Sequence, residues 1–372
     1  MILLTILVFV LILGLLVFVH ELGHFLMAKR AGMKVEEFAF GFPPRLISFK
    51  RGETTYAINL IPLGGYVKID GEDGSDASNP RSFANKPAWQ RFLVLIAGVS
   101  MNVVLAWFLI AIALSIGWPT LINEGDEIPA NVIVKNISVG ILEIAPDSPA
   151  AKAGLKPEDN IVKIAGEPID SIEEAQDVTH AHAGTPTVYT IARGNDTFEK
   201  TITPRVNPPE GEGSLGIALG SIGQIVYPWY QAPIKAVVVT YNLVSLTIQA
   251  FYSLIVSALH GANVGAALSG PVAIAVLTRD NTAMGFIYLL RFTALISINL
   301  AILNAIPFPA LDGGRILFLA IETVRRKKMD MKYEQWANTV GFLLLITLMV
   351  FVTFKDVSRY SEGFKHMFQN LF

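Results

Sequence analysis

The sequence predicts a polytopic α-helical membrane protein with four transmembrane helices, a membrane-re-entrant β-hairpin and one inserted α/β domain. Three observations predict it. Of 372 residues, 52% are hydrophobic and 16% charged, with a mean hydropathy of +0.49, whereas ordinary soluble chains carry about 25% charged residues. The hydrophobic residues gather in long charge-free stretches, and one long polar connection separates the first stretches from the last.

Composition also excludes several classes. A formal net charge of −2 and the lack of a polybasic tail leave no electrostatic footprint for nucleic acid. With no cysteine there is no disulfide framework, thiolate zinc site, iron–sulfur cluster or cysteine nucleophile. A bound metal must therefore use His, Asp, Glu or backbone oxygen.

Residues 2–19 form a wall of Leu, Ile, Val and Phe broken only by Thr5 and Gly14, long enough to span a bilayer. The basic start and small-residue cleavage site of a signal peptide are missing, so the stretch reads as a retained helix. Residues 92–118, 292–311 and 337–354 are the second, third and fourth spans. A further uncharged stretch, 236–259, repeats Asn242, Ser245, Gln249, Ser253 and Ser257 at helical spacing, which gives it one polar face. It is assigned to a membrane-associated amphipathic helix region, 230–283, that lies against the bilayer surface or the protein without crossing.

Charge sets the orientation. The apolar character of the first helix resumes after its polar cluster and lasts to Lys29; residues 29–91 then carry ten Lys or Arg against seven acids, and the connection between spans three and four six against four, including Arg325, Arg326, Lys327 and Lys328. Both are predicted cytoplasmic. Residues 119–291 carry ten basic and seventeen acidic residues and form the outside domain, which places both termini outside as well.

In the first cytoplasmic connection, residues 45–50 and 54–61 alternate apolar and polar around Arg51-Gly52-Glu53, a β-hairpin pattern. It leads into the apolar, glycine-containing run 61–68. Such backbone reaches membrane depth only where it lines a cavity or is buried in protein; a surface hairpin dipping toward the headgroups is the plainer alternative. Residues 71–80 turn to Gly, Asp, Ser and Asn, a flexible tip. In the outside connection, 141–166 reads as strand, capped short helix, turn and strand, with Asp147 and Ser148 able to cap, Pro149 at the first helical position and Gly154 ending the helix. Residues 169–183 look helical, and 187–192 with 197–203 form a hairpin around Gly194-Asn195.

The sharpest motif is His20-Glu21-Leu22-Gly23-His24 at the inner end of the first span. Residues four apart share a helix face, so both imidazoles can reach one zinc with Glu21 beside it as general base. Two capping or headgroup-facing histidines are the bland alternative, but polar groups inside an apolar helix are costly without partners. Hydrolytic zinc typically has three protein ligands and an open position. The candidate third ligand is Asp312 in Asn304-Ala-Ile-Pro-Phe-Pro-Ala-Leu-Asp-Gly-Gly-Arg315, where two prolines break a span and present a carboxylate; alone, this segment also reads as a turn with a capping Asp. If 236–259 crossed by itself, Asp312 would reach the opposite face, about 30 Å from the histidines.

Together these two motifs resemble the site-2 protease family of intramembrane zinc metalloproteases. The fragment SPAAKAGLKPEDNIVKIAG resembles the core of a PDZ domain, over about 132–206, and narrows the likeness to the bacterial branch that includes the regulator of sigma-E protease. The resemblance implies a zinc cofactor held by His20, His24 and Asp312, Glu21 as the catalytic base, and Asn304 as a substrate contact. Gly64, Gly65 and Tyr66 fall at the end of the family's re-entrant β element, also against substrate. Residues 97–102 are similar to its AGPxxN motif, with Val99 in place of proline, and relatives often have two PDZ modules where one is found here. The domains expected are 1–118 with the first two spans and the re-entrant hairpin at 45–68, a PDZ domain at 124–206, the region 230–283, and 284–372 with the last two spans. The function implied is peptide hydrolysis within the spans of single-span membrane proteins, such as anti-sigma factors or remnant signal peptides, in regulated intramembrane proteolysis. The partners implied are those substrates and the lipid bilayer, and the location is the bacterial inner (cytoplasmic) membrane.

Other readings give a catalytically silent, membrane-tethered PDZ adaptor or a zinc transporter. A purely structural site needs no Glu21, and a transporter wants polar residues along its spans, which the first half of the first span lacks. His180 and His182 read as solvated, His260 and His366 as unpartnered, Glu173, Glu174 and Asp177 as a solvated helix face, and Ser100 and Asn102 as interhelical hydrogen-bonding groups.

Overall fold

The computed structural model describes residues 2–72, 79–122, 129, 131–194, 196–262, 270–327 and 329–369. Most of the 71–80 tip, the start of 124–206, Asn195, part of 230–283 and Lys328 lie outside the described residues, as does the side chain of His366. In chain order the elements are α1 (Ile2–Arg30), β1 (Val35–Arg51), β2 (Thr54–Ile69), α2 (Ala88–Ile116), β3 (Trp118–Leu121), β4 (Ile133–Ile144), α3 (Pro149–Lys152), β5 (Asn160–Ile164), β6 (Glu167–Pro168), α4 (Ile172–Ala181), β7 (Thr187–Arg193), β8 (Asp196–Ile202), β9 (Ile217–Val226), α5 (Ala232–Leu259), α6 (Pro271–Met284), α7 (Phe286–Ala305), α8 (Asp312–Arg325) and α9 (Met331–Gln369). The chain forms two compact units, one of residues 1–109, 237–279 and 292–372, the other of 110–236 and 280–291.

Among the described residues five helices, α1, α2, α5, α7 and α9, are long and apolar enough to cross a membrane. The third span was expected at 292–311, but α7 starts earlier, at Phe286, and ends at Ala305. Pro307 and Pro309 lack the N–H that would continue the helix. The apolar stretch 337–354 is only the middle of the 39-residue α9, whose polar flanks stay helical. α5 is largely uncovered, with Ile234, Tyr241, Tyr252 and Leu259 all more than two-thirds exposed.

Within the first unit, the hairpin pairing expected for 45–50 with 54–61 is present, with Ile47 opposite Ile58 and Phe49 opposite Tyr56. The strands also run further than their alternation suggested. Residues 37–40 lie beside 55–58 on one side and 65–68 on the other, with register shifts that bend both strands. Glu53 in the turn accepts from Lys29 at the end of α1 and from Arg81, tying the sheet to the helix that carries the histidines. A core of Ala28, Met33, Val35, Ile69, Phe83, Val94, Leu95 and Leu319 joins α1, the sheet, α2 and α8. Arg91 and Glu322 add a largely buried two-pronged ion pair between α2 and α8, a geometry that also fixes direction.

The second unit holds a seven-stranded sheet of order β3-β9-β4-β5-β7-β8, with β6 on β5. Val139 and Ile141 of β4 and Tyr189 and Ile191 of β7 alternate into its core, and Ile161 and Ile164 of β5 reach it on either side of a register shift. Ser148 caps α3 and Ser171 caps α4, each accepting from a backbone N–H three residues on, and Gly154 (φ +76°) follows α3. Asp159, fully buried, takes a two-pronged bond from Arg193. The sheet extends outside 124–206, because β9 fills the open edge of β4 and β3 pairs with β9; an unpaired central edge would leave backbone groups unsatisfied.

Candidate metal centre

The site is built on α1, where the four-residue spacing puts His20 and His24 on one face. Their Nε2 atoms lie 3.2 Å apart. Asp312, the first residue of α8, brings Oδ2 to 3.0 Å from His20 Nε2 and 3.3 Å from His24 Nε2. These three are the described group of His, Asp or Glu residues whose ligand atoms converge closely enough to hold a metal ion. The separations suit zinc: bonds of about 2.0–2.1 Å in a tetrahedron set ligand atoms about 3.3 Å apart. Asp312 Oδ2 is buried and faced by both imidazole Nε2 atoms, so a cation between them would satisfy all three ligand atoms at once. The donor set and its spacing fit the ion.

The local chemistry of 306–314 explains how Asp312 arrives there. After α7 ends, the chain reverses through Pro307, Pro309 and Ala310 (φ +75°), and Asn338 of α9 accepts the Ala310 N–H. A Cβ on Gly313 would sit 2.2 Å from Ile306 O, and one on Gly314 2.3 Å from Phe308 O. Both glycines are needed for α8 to fold back onto the end of α7. An acid in the first turn of a helix is favoured electrostatically as well. One turn on, Arg315 pairs with Glu72, which follows β2. The Glu72 charge raises the already high pKa of Arg315, so the guanidinium stays charged.

Glu21 stands on α1 between the two histidines. Gly65 of β2 is close to it: a Cβ there would lie 2.9 Å from Ala39 O and 3.5 Å from Glu21 Cγ. Gly64 backs onto the Phe42 ring, which a Cβ would meet at 2.4 Å. Tyr66 is opposite Ala39 in the sheet. Asn304 is half-buried in the last turn of α7, before the reversal that leads to Asp312. His180, His182 and His260 take no part in the centre; His182 and His260, the latter expected to lack a partner, have Nδ1 within hydrogen-bond distance of the carbonyls of Val178 and Val256.

Gly98 and Asn102 lie in the 97–102 motif and Gly23 in the HELGH motif singled out from sequence, but their parts in shaping the site, and that of Val94, were not read from it. Gly98 of α2 leaves the room in which the rings sit: its Cβ would be 2.3 Å from His24 Nε2 and 2.8 Å from His20 Cε1. Gly23 makes the matching approach on α1, against Ala97 O. The Val94 carbonyl lies 2.8 Å from His24 Nδ1, and the Asn102 side chain lies 3.3 Å from His20 Nδ1. Val94, Gly98 and Asn102 recur every four residues, so one face of α2 serves the site. That spacing was the available signal. Ser100, by contrast, bonds to Ile96 O of its own helix. Gly98→Ala is expected to expel zinc and abolish cleavage, read by metal analysis of the purified variant; full zinc and activity would mean that the rings do not face α2.

An apolar helix bearing HExxH that receives a carboxylate from a distant helix defines a membrane-embedded metallopeptidase. The sequence model of peptidase family M50 matches residues 8–348, and the chain belongs to that family. It is similar to a protein assigned as a zinc metalloprotease in Clostridium perfringens, 37% identical over 92% of this chain and 95% of the relative. It is also similar to the zinc metalloprotease RasP of Geobacillus kaustophilus, 31% identical over 96% and 98%, and to the regulator of sigma-W protease RasP of Bacillus subtilis, 28% identical over 95% and 98%. The chain is therefore a multi-pass membrane protein and an intramembrane zinc metalloprotease of the site-2 protease type.

Proposed function

We propose that the chain cuts single-span membrane proteins within their transmembrane segments, with His20, His24 and Asp312 holding zinc and Glu21 as the general base. The observation that carries this reading is the convergence of those three ligand atoms from α1 and α8 beside Glu21. Zinc, when bound, supplies the Lewis acidity that polarises the scissile carbonyl and makes water acidic enough to attack near neutral pH. Glu21 takes the proton from the attacking water and returns one to the departing amine. A carbonyl inside a substrate helix is screened by its own hydrogen bonds, so the segment must unwind first. Gly64, Gly65 and Tyr66, on the strand nearest Glu21, are placed to hold the unwound segment by strand addition, with Asn304 as a further contact.

The name of the Bacillus subtilis relative makes that protein a regulator of sigma-W, which supports anti-sigma factors as one substrate class, beside remnant signal peptides. The 132–206 segment is read as a PDZ domain that selects or restricts substrates. In support, a cavity of about 300 Å³ opens between α4 and β9, lined by Gln176, His180, Leu215, Ile217 and Leu219, a groove suited to an extended peptide end. Cleavage of a single-span test substrate inside its span is expected to stop with a chelator and return with zinc. Cleavage indifferent to both, or confined to the aqueous flanks, would overturn the proposal.

The topology proposed has α1, α2, α7 and α9 crossing the inner bacterial membrane, α5 lying at the outer surface or against the protein, and the domain and both termini outside. The polar face of α5, where Gln249 bonds Ser245, supports this, as does the need to keep Asp312 level with the histidines. A cysteine placed at Ser358 is expected to react with a membrane-impermeant reagent added from outside. Labelling only from the cytoplasmic side would reverse the assignment.

A further inference from the structure

We propose that Asn102 is a positioning residue of the metal centre, its side-chain oxygen accepting the Nδ1–H of His20. The inference rests on His20, His24 and Asp312 being the ligands. Each ring turns Nε2 toward Asp312 Oδ2, at 3.0 and 3.3 Å. A neutral imidazole that binds metal through one nitrogen carries its proton on the other, and that N–H needs an acceptor to fix tautomer and ring direction. For His24 the acceptor is the Val94 carbonyl, 2.8 Å from Nδ1.

For His20 the facing group is the Asn102 amide, 3.3 Å from Nδ1 through Nδ2. That arrangement, with the amide nitrogen as donor, suits an unprotonated Nδ1. Once Nδ1 bears the proton, two donors would face one another, and a half-turn of the amide replaces nitrogen by oxygen within nearly the same volume. Asn102 Oδ1 has no other partner to hold it back. One amide atom stays unpartnered either way, so which His20 nitrogen binds the metal, and hence the ring tautomer, decides the orientation. The residue is fully buried, and its own backbone carbonyl accepts from Ser297 Oγ of α7 at 2.7 Å. α2 is thereby pinned to α7 at the level of His20, and the acceptor is held in place from behind.

The test is the zinc dissociation constant of the purified full chain, measured by chelator competition, with thermal melting to establish that each variant is folded. Asn102→Leu keeps the volume and removes the acceptor; zinc binding is expected to weaken about 10- to 100-fold. Asn102→Asp restores an acceptor, and affinity is expected to return close to wild type. A folded leucine variant of unchanged affinity, or an aspartate variant as weak as the leucine one, would overturn the role. Should the leucine variant not fold, histidine ¹⁵N resonances of the zinc-loaded wild type still decide: a deprotonated Nδ1 on His20 rejects the proposal, a protonated one supports it. His20→Ala and Asp312→Ala separate this idea from its premise. Retention of zinc by both would undo the ligand assignment, whereas loss in both with unchanged affinity in Asn102→Leu would undo Asn102 alone.

Discussion

Replacing Glu21 by Gln is expected to leave zinc content near that of the wild type while cleavage falls by about 10²- to 10⁴-fold, the usual contribution of a positioned general base. Glutamine keeps the shape and polarity of the side chain and removes its basicity. The atoms that converge closely enough to hold a metal ion belong to His20, His24 and Asp312, so the exchange does not touch them. A Cβ at Gly65 would lie 3.5 Å from Glu21 Cγ, a methylene that glutamine preserves. Metal analysis and a cleavage assay on the same preparation give both readouts. Full activity in this variant would remove Glu21 from the chemistry. The inactive, zinc-loaded protein is also the natural trap for substrates in native membranes, since binding would proceed without turnover.

Asp312→Ala is expected to lose both zinc and activity. Changing a group that merely orients a ligand typically weakens metal binding about 10- to 100-fold, and deleting a charged ligand should exceed that. Two histidines on one helix would then be left to hold the ion without the carboxylate that approaches both at 3.3 Å or less. The fold should survive, because α8 is held by Leu319 in the core, by the ion pair of Glu322 with Arg91 and by the glycine contacts at 313 and 314. Normal zinc content together with full cleavage would exclude Asp312 from the ligand set. Loss of activity with zinc retained would reassign it from holding the ion to positioning substrate.

The helical spans and the sheet elements were legible wherever a local pattern carried them. The charge-free run of α1, the serine caps of α3 and α4, and the alternation flanking Arg51-Gly52-Glu53 each depend on neighbours a few residues away. Boundaries were less legible where a distant partner set them. β1 and β2 continue past their alternating segments because 37–40 is sandwiched between 55–58 and 65–68, and β9 joins its sheet from beyond the segment that resembles a PDZ domain because β4 needs a neighbour.

The sequence by itself determined that this is a membrane protein and a zinc protease: HExxH has its meaning within one helical turn, and hydrophobic runs declare themselves by length. It also offered Asp312, through a proline and glycine pattern that breaks a span. Only the tertiary structure decided that Asp312 Oδ2 stands at both imidazoles, that Gly98 vacates the space for the rings, and that Val94 and Asn102 face their outer nitrogens. The reason is physical. A glycine or an asparagine in an apolar helix is locally ambiguous, and its role appears only when another helix, here seventy or more residues away in sequence, is packed closely enough to need the missing Cβ or the hydrogen bond.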